Sequence, residues 1–170
     1  MDADMPDVQR AIKKQYEASR GDSSALFQAI LAIGAEIGLD AALEILEGFV
    51  TEKRTAWLAR QGKNLPRSGD PLLDGYKAFY ECYLGLSIPG DGEIVEKTDR
   101  RLVMRWWNRC PTLEACQKLG LDTREICQKV YQAPVQALLT RLDPRLRFRR
   151  NYARIRPYAD YCEEIIELAE

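Results

Sequence analysis

The chain contains no histidine. That removes the side chain most often used as a general base near neutral pH, and the commonest metal ligand. Net charge is almost absent as well, with 25 basic side chains against 26 acidic ones. Such a balance argues against dedicated nucleic-acid binding, which draws on a net basic surface. No apolar run approaches the ~18 residues of a membrane span. The acidic start Met1-Asp-Ala-Asp-Met-Pro-Asp7 has no apolar core of the kind a signal peptide needs. Closely paired cysteines of the structural-zinc type are missing, as are glycine-rich phosphate loops and the Gly-x-Ser-x-Gly nucleophile elbow. No metal and no cofactor are therefore expected. Chemistry here has to use thiols, carboxylates, amines or phenols.

What remains is an ordinary globular composition, 46% hydrophobic over 170 residues, long enough to bury a core as a single domain. Five cysteines are spaced by 27, 5, 10 and 34 residues, an odd number too sparse for a disulfide scaffold. Reduced thiols in a cytoplasmic protein are the expectation.

Apolar spacing divides the chain in two. Residues 1–88 read as helical. Val8, Ile12 and Tyr16 form one stripe ended by Gly21, and Leu26 to Ile37 form a second, capped by Ser23 or Ser24 and stopped by Gly38. Asp40 is expected to cap a third helix running to Gly62. Asp70-Pro71 opens a fourth, which carries Tyr76, Phe79, Tyr80 and Tyr83. After the break at Pro89-Gly90-Asp91-Gly92, residues 93–98 and 101–108 read as a hairpin whose Trp106 and Trp107 face opposite sides. Short helices are expected at 112–120, 122–131 and 134–142, with Asp122 and Glu125 as a capping pair. Residues 145–156 and 161–168 read as closing strands around Pro157, the last of them also compatible with a helix. The predicted fold is α+β: a helical N-terminal half packed on an antiparallel sheet of two hairpins, with short helices inserted between them. Leu31, Phe27, Phe49, Tyr76, Phe79 and Trp106 are its expected core.

The most informative stretch is Arg109 to Cys127, which holds three of the five cysteines. Cys110 sits between Arg109 and Pro111 where a helix begins, and a guanidinium and a helix N-terminus both favour a thiolate. Cys82 and Cys116 read as core filler. Cys127 and Cys162 can converge on Cys110 if the helix packs over the closing strands.

The segments Val103-Met-Arg-Trp-Trp-Asn-Arg-Cys-Pro111, Lys118-Leu-Gly-Leu-Asp122, Leu142-Asp-Pro-Arg-Leu146 and Tyr161-Cys162-Glu163, with Ala115 and Cys127, carry a resemblance. Over residues 93–168 the chain resembles the L-2-amino-thiazoline-4-carboxylate hydrolase family. Its closing part is also similar to vinyl-reductase-type small-molecule-binding domains. Their Gly-Asp-x-x-Cys reads Ala159-Asp160-Tyr161-Cys162 here, lacking the glycine and one residue of spacing. The resemblance implies hydrolytic opening of a carboxylate-bearing cyclic amidine. Cys110 is then the nucleophile, Asp122 or Glu114 handles protons, and Arg109, Cys127, Cys162 and Trp107 contact the substrate. A non-catalytic small-molecule-binding or sensor domain is the alternative. The partner in both cases is a small molecule rather than nucleic acid or membrane, and a homo-oligomer is left open.

Overall fold

The computed structural model describes residues 5–169. Helices α1 (Met5–Ser19), α2 (Ser23–Ile37) and α3 (Leu39–Gln61) come first, then α4 (Pro71–Tyr76), which widens into a π-helical segment over Lys77–Tyr83. Strands β1 (Gly92–Lys97) and β2 (Arg101–Trp106) follow, then α5 (Pro111–Leu119). Helix α6 (Thr123–Ile126) runs through a second π segment, Cys127–Gln132, into α7 (Ala133–Leu142). Strands β3 (Leu146–Arg150) and β4 (Cys162–Leu168) end the chain. The α+β architecture is as expected, with helices in the N-terminal half and one antiparallel four-stranded sheet in the order β1-β2-β4-β3. The first hairpin joins the closing strands through β2 and β4, with Trp106 opposite Cys162.

Local chemistry explains the boundaries, including those that sequence reading misplaced. Asp22, not a serine, caps α2 by accepting the Ala25 N–H at 3.0 Å. Gly38, at φ 94°, makes the corner into α3 that a side chain would strain, so Asp40 falls inside the first turn instead of capping it. The helix expected to stop before Pro134 continues through it. Proline has no N–H and would clash with the carbonyl one turn back, and a π segment directly before it relaxes both demands. β3 ends at Arg150, six residues earlier than expected, and residues 151–161 are irregular.

Period-two alternation divides the sheet. Leu102, Met104, Trp106, Leu146, Phe148 and Ile166 face inward, onto a core completed by α4, its π segment and α7. The outer face carries ion pairs, Arg105 with Glu163 at 3.0 Å and Arg149 with Glu167 at 2.8 Å. A second core joins α1, α2 and α3 to Ala115, Cys116, Ile126 and Val130, so the two halves of the chain interlock. Phe27, Tyr76, Phe79 and Trp106 are buried as expected, whereas Leu31 and Phe49 are only half-buried. Phe49 lies under the Lys13 ammonium on the α1–α3 surface. Cys116 is core filler, but Cys82 is exposed. The widened π turn rotates Cys82 off the stripe that regular 3.6-residue spacing would assign it. No helix among the described residues is long and apolar enough to cross a membrane.

Candidate functional site

Between the sheet and the helices lies a cavity of about 590 Å³, a size suited to a small organic ligand. Both π segments line it, contributing Phe79, Tyr80 and Tyr83 from the first and Cys127 and Tyr131 from the second. π segments concentrate at functional sites because the extra residue redirects side chains off the regular helical face. Buried Tyr80, Trp106, Val135 and Glu164 form the floor with half-buried Arg150, while exposed Lys53, Leu84, Arg109 and Pro111 border the mouth.

The floor contains a closed polar network. Glu164 on β4 accepts the Tyr80 hydroxyl at 2.5 Å and Arg150 Nε at 2.7 Å, and Arg150 Nη1 reaches the Cys127 carbonyl at 3.3 Å. Burial and the adjacent Glu164 carboxylate push the Tyr80 phenol well above its ordinary range, so it stays protonated and donates. Burial alone would lower Arg150, but Glu164 outweighs it and holds the guanidinium charged.

Arg54 is the anomaly. It projects from α3, is only 7% exposed, and has its guanidinium 5.2 Å from the Phe79 ring and 5.6 Å from those of Tyr83 and Tyr131. It makes a long hydrogen bond, Nη1 to the Tyr131 carbonyl at 3.5 Å, the Tyr83 hydroxyl lies close by, and its Nε is buried without a partner. Among the described residues no carboxylate lies within ion-pair distance of it. Burial lowers its pKa, with Tyr83 and Tyr131 opposing that effect. Two more unpartnered buried donors line the same space, Arg156 Nε and Trp106 Nε1; the latter lies near the Tyr80 oxygen but outside hydrogen-bond geometry. Unmet buried donors are costly, and all three belong to side chains that line this one cavity.

The residues singled out from sequence divide sharply. Cys110, Cys127 and Cys162 all line the cavity. Cys110 caps α5, its sulfur accepting the Leu113 N–H at 3.5 Å, yet burial raises its pKa despite that bond and the nearby Arg156. The expected activation by Arg109 is absent, because that guanidinium turns outward onto Glu114 with two contacts of 2.9 Å. Arg109 therefore borders the mouth without touching the thiol, and Glu114 is occupied outside the cavity. Asp122 also lies outside it. It caps α6 and pairs with Arg124 at 2.9 Å, which holds its carboxyl at about 2, too acidic to carry a proton near neutrality. Trp107 falls one residue past β2 and is 42% exposed, its indole N–H donating to the Gly90 carbonyl at 3.0 Å. Trp106 is the indole that faces the cavity.

Reactivity should follow this burial. Exposed Cys82 should be alkylated first by iodoacetamide at pH 7, with Cys110 and Cys127 lagging. Because burial raises both thiols, Cys127 to about 12, their alkylation should still accelerate above pH 9. Peptide mass spectrometry of a pH series checks this; a Cys110 rate already flat by pH 8 would contradict the buried thiol.

A signal for the missed residues exists in the sequence. Arg54 occupies a core position of the α3 stripe between Leu46, Val50 and Leu58. Glu164 shares the inward face of β4 with Cys162 and Ile166, and Arg150 that of β3 with Leu146 and Phe148. A charge at an inward position of an otherwise apolar stripe is the readable mark. No protein-family model matches the chain, and no match is found among curated proteins or solved structures.

Proposed function

We propose that this protein binds a small, carboxylate-bearing organic ligand in the cavity between its sheet and helices. The carboxylate sits on Arg54, and a flat or apolar body lies against Trp106, Tyr80 and Phe79. The observation that carries this reading is a guanidinium only 7% exposed that lines the cavity and has no carboxylate partner among the described residues. Guanidinium matches a carboxylate in shape and charge, and at a guanidinium this deeply buried the pairing is stronger than at a surface. Five free thiols suit a reducing compartment such as the cytoplasm.

A second reading, hydrolysis of a 2-aminothiazoline-4-carboxylate, draws on three thiols sharing this wall with the guanidiniums. In that reaction water adds at ring carbon C2, the C2–S bond breaks, and the sulfur leaves as a thiol carrying the proton. A covalent route would start from Cys110, whose raised pKa weighs against it.

Calorimetry separates the readings. Benzoate and 2-aminothiazoline-4-carboxylate are titrated into wild type and Arg54→Met, and ring opening is followed in parallel. Binding that weakens at least tenfold in Arg54→Met supports the proposal. Failure of both compounds to bind overturns it. Turnover that disappears in Cys110→Ser while binding persists would promote the hydrolase reading.

A further inference from the structure

The charges around the cavity do not balance, and the imbalance has a position as well as a sign. Among the described residues its ionisable cationic lining is Lys53, Arg54, Arg109, Arg150 and Arg156, against the single carboxylate Glu164. Arg150 is neutralised by Glu164 at 2.7 Å and Arg109 by Glu114 at 2.9 Å. Lys53 is exposed at the mouth, with its ammonium over the Tyr16 ring at 5.2 Å. Arg54 and Arg156 remain, and they come from different walls, one from α3 and the other from the irregular segment after β3.

Both are held by neutral acceptors. Arg156 donates from Nη1 to the Asn108 carbonyl at 2.7 Å and from Nη2 to Asn108 Oδ1 at 3.5 Å, leaving a buried Nε free. Arg54 is oriented by the Tyr131 carbonyl and three aromatic rings, and its Nε is free too. Carbonyl oxygens aim a guanidinium without cancelling its charge. Each arginine therefore brings a positive charge, uncancelled by any acid among the described residues, to the lining of the same cavity.

We infer that the ligand is a dicarboxylate, with one acid group on Arg54 inside its aromatic surround and the second on Arg156 at the Asn108 side. This rests on the carboxylate-binding reading above and sharpens it. A zwitterion is disfavoured by the same count. Among the described residues the only acid in the lining, Glu164, already has both oxygens engaged by Tyr80 and Arg150, so an ammonium or amidinium would enter a cationic space without a partner. A phosphate monoester would concentrate its charge at one arginine and leave the other unmet.

Four probes on one benzene body test this in full-length protein at fixed ionic strength: benzoate, isophthalate, 3-(aminomethyl)benzoate and phenyl phosphate. Isophthalate should bind at least tenfold more tightly than benzoate, and 3-(aminomethyl)benzoate more weakly than benzoate. In Arg156→Gln the isophthalate-to-benzoate ratio should fall towards one. Because the ratio is taken within one protein, a general loss of stability does not mimic the result. Equal affinity for benzoate and isophthalate in wild type, with benzoate still dependent on Arg54, overturns the two-acid inference and leaves the carboxylate reading standing. Phenyl phosphate outranking isophthalate overturns it in favour of a single phosphate site. No binding of any probe overturns both.

Discussion

Arg150→Met is expected to destabilise the protein by about 3–5 kcal/mol, the cost of leaving a buried charge without its partner. Arg150 and Glu164 are each 9% exposed at the side chain and meet at 2.7 Å. With the guanidinium gone, Glu164 keeps only the Tyr80 hydroxyl in a space closed by Trp106 and Phe148. For a chain of this size the loss corresponds to a fall in melting temperature of about 10 °C. The double variant Arg150→Met/Glu164→Leu should recover more than half of it, since replacing both members of a buried pair by apolar groups removes the desolvation cost together with the attraction. Urea melts of the three proteins measure the effect. A loss under about 1 kcal/mol in the single variant would mean that water reaches the pair.

Gly92→Ala should cost about 3 kcal/mol, at the upper end for overpacking, because nothing around the new methyl can give way. A Cβ there would lie 2.4 Å from the Arg105 carbonyl oxygen and 2.5 Å from the Trp106 ring. The first is strand backbone; the second is a buried indole stacked on Tyr80 at 4.6 Å between centroids. Relief requires either the β1–β2 ladder to open or Trp106 to leave its place on the cavity floor. Ligand affinity should therefore fall with stability. Gly90→Ala is the control, its Cβ meeting nothing nearer than Ser87 Oγ at 3.7 Å, and should stay within about 0.5 kcal/mol of wild type. Equal melts for the two variants would contradict this packing.

The fold was readable where local rules and global packing agree. The apolar stripes of α2 and α3, the cap at Asp70 with Pro71 behind it, and the alternation of β2 each state their element in a few residues. Reading failed where a local signal competes with a tertiary one. Pro134 looked like a boundary and became part of a continuous helix, because the π segment preceding it relieves the clash. Residues 151–156 carry two arginines, a tyrosine and an isoleucine suited to a strand, yet β3 ends at Arg150, and Asn151 makes the last bonds to Glu163, through its backbone N–H and its side chain, before the chain turns away.

The candidate site divides along the same line. By itself the sequence determined which chemistry was possible: no imidazole, five thiols, balanced charge, and a cysteine at the start of a helix. Those are properties of residue type and nearest neighbours. Only tertiary structure decided which groups meet. Arg109 adjoins Cys110 in the chain but turns to Glu114, because an exposed guanidinium gains more from a bidentate carboxylate than from a neutral buried thiol. Arg54, which lies 56 positions before Cys110, enters the same cavity because α3 packs against the C-terminal helices. Its buried position sets its charge against aromatic rings, with no acid among the described residues at ion-pair distance. Burial and charge pairing arise from contacts between residues distant in the chain, and those contacts give this cavity its positive sign.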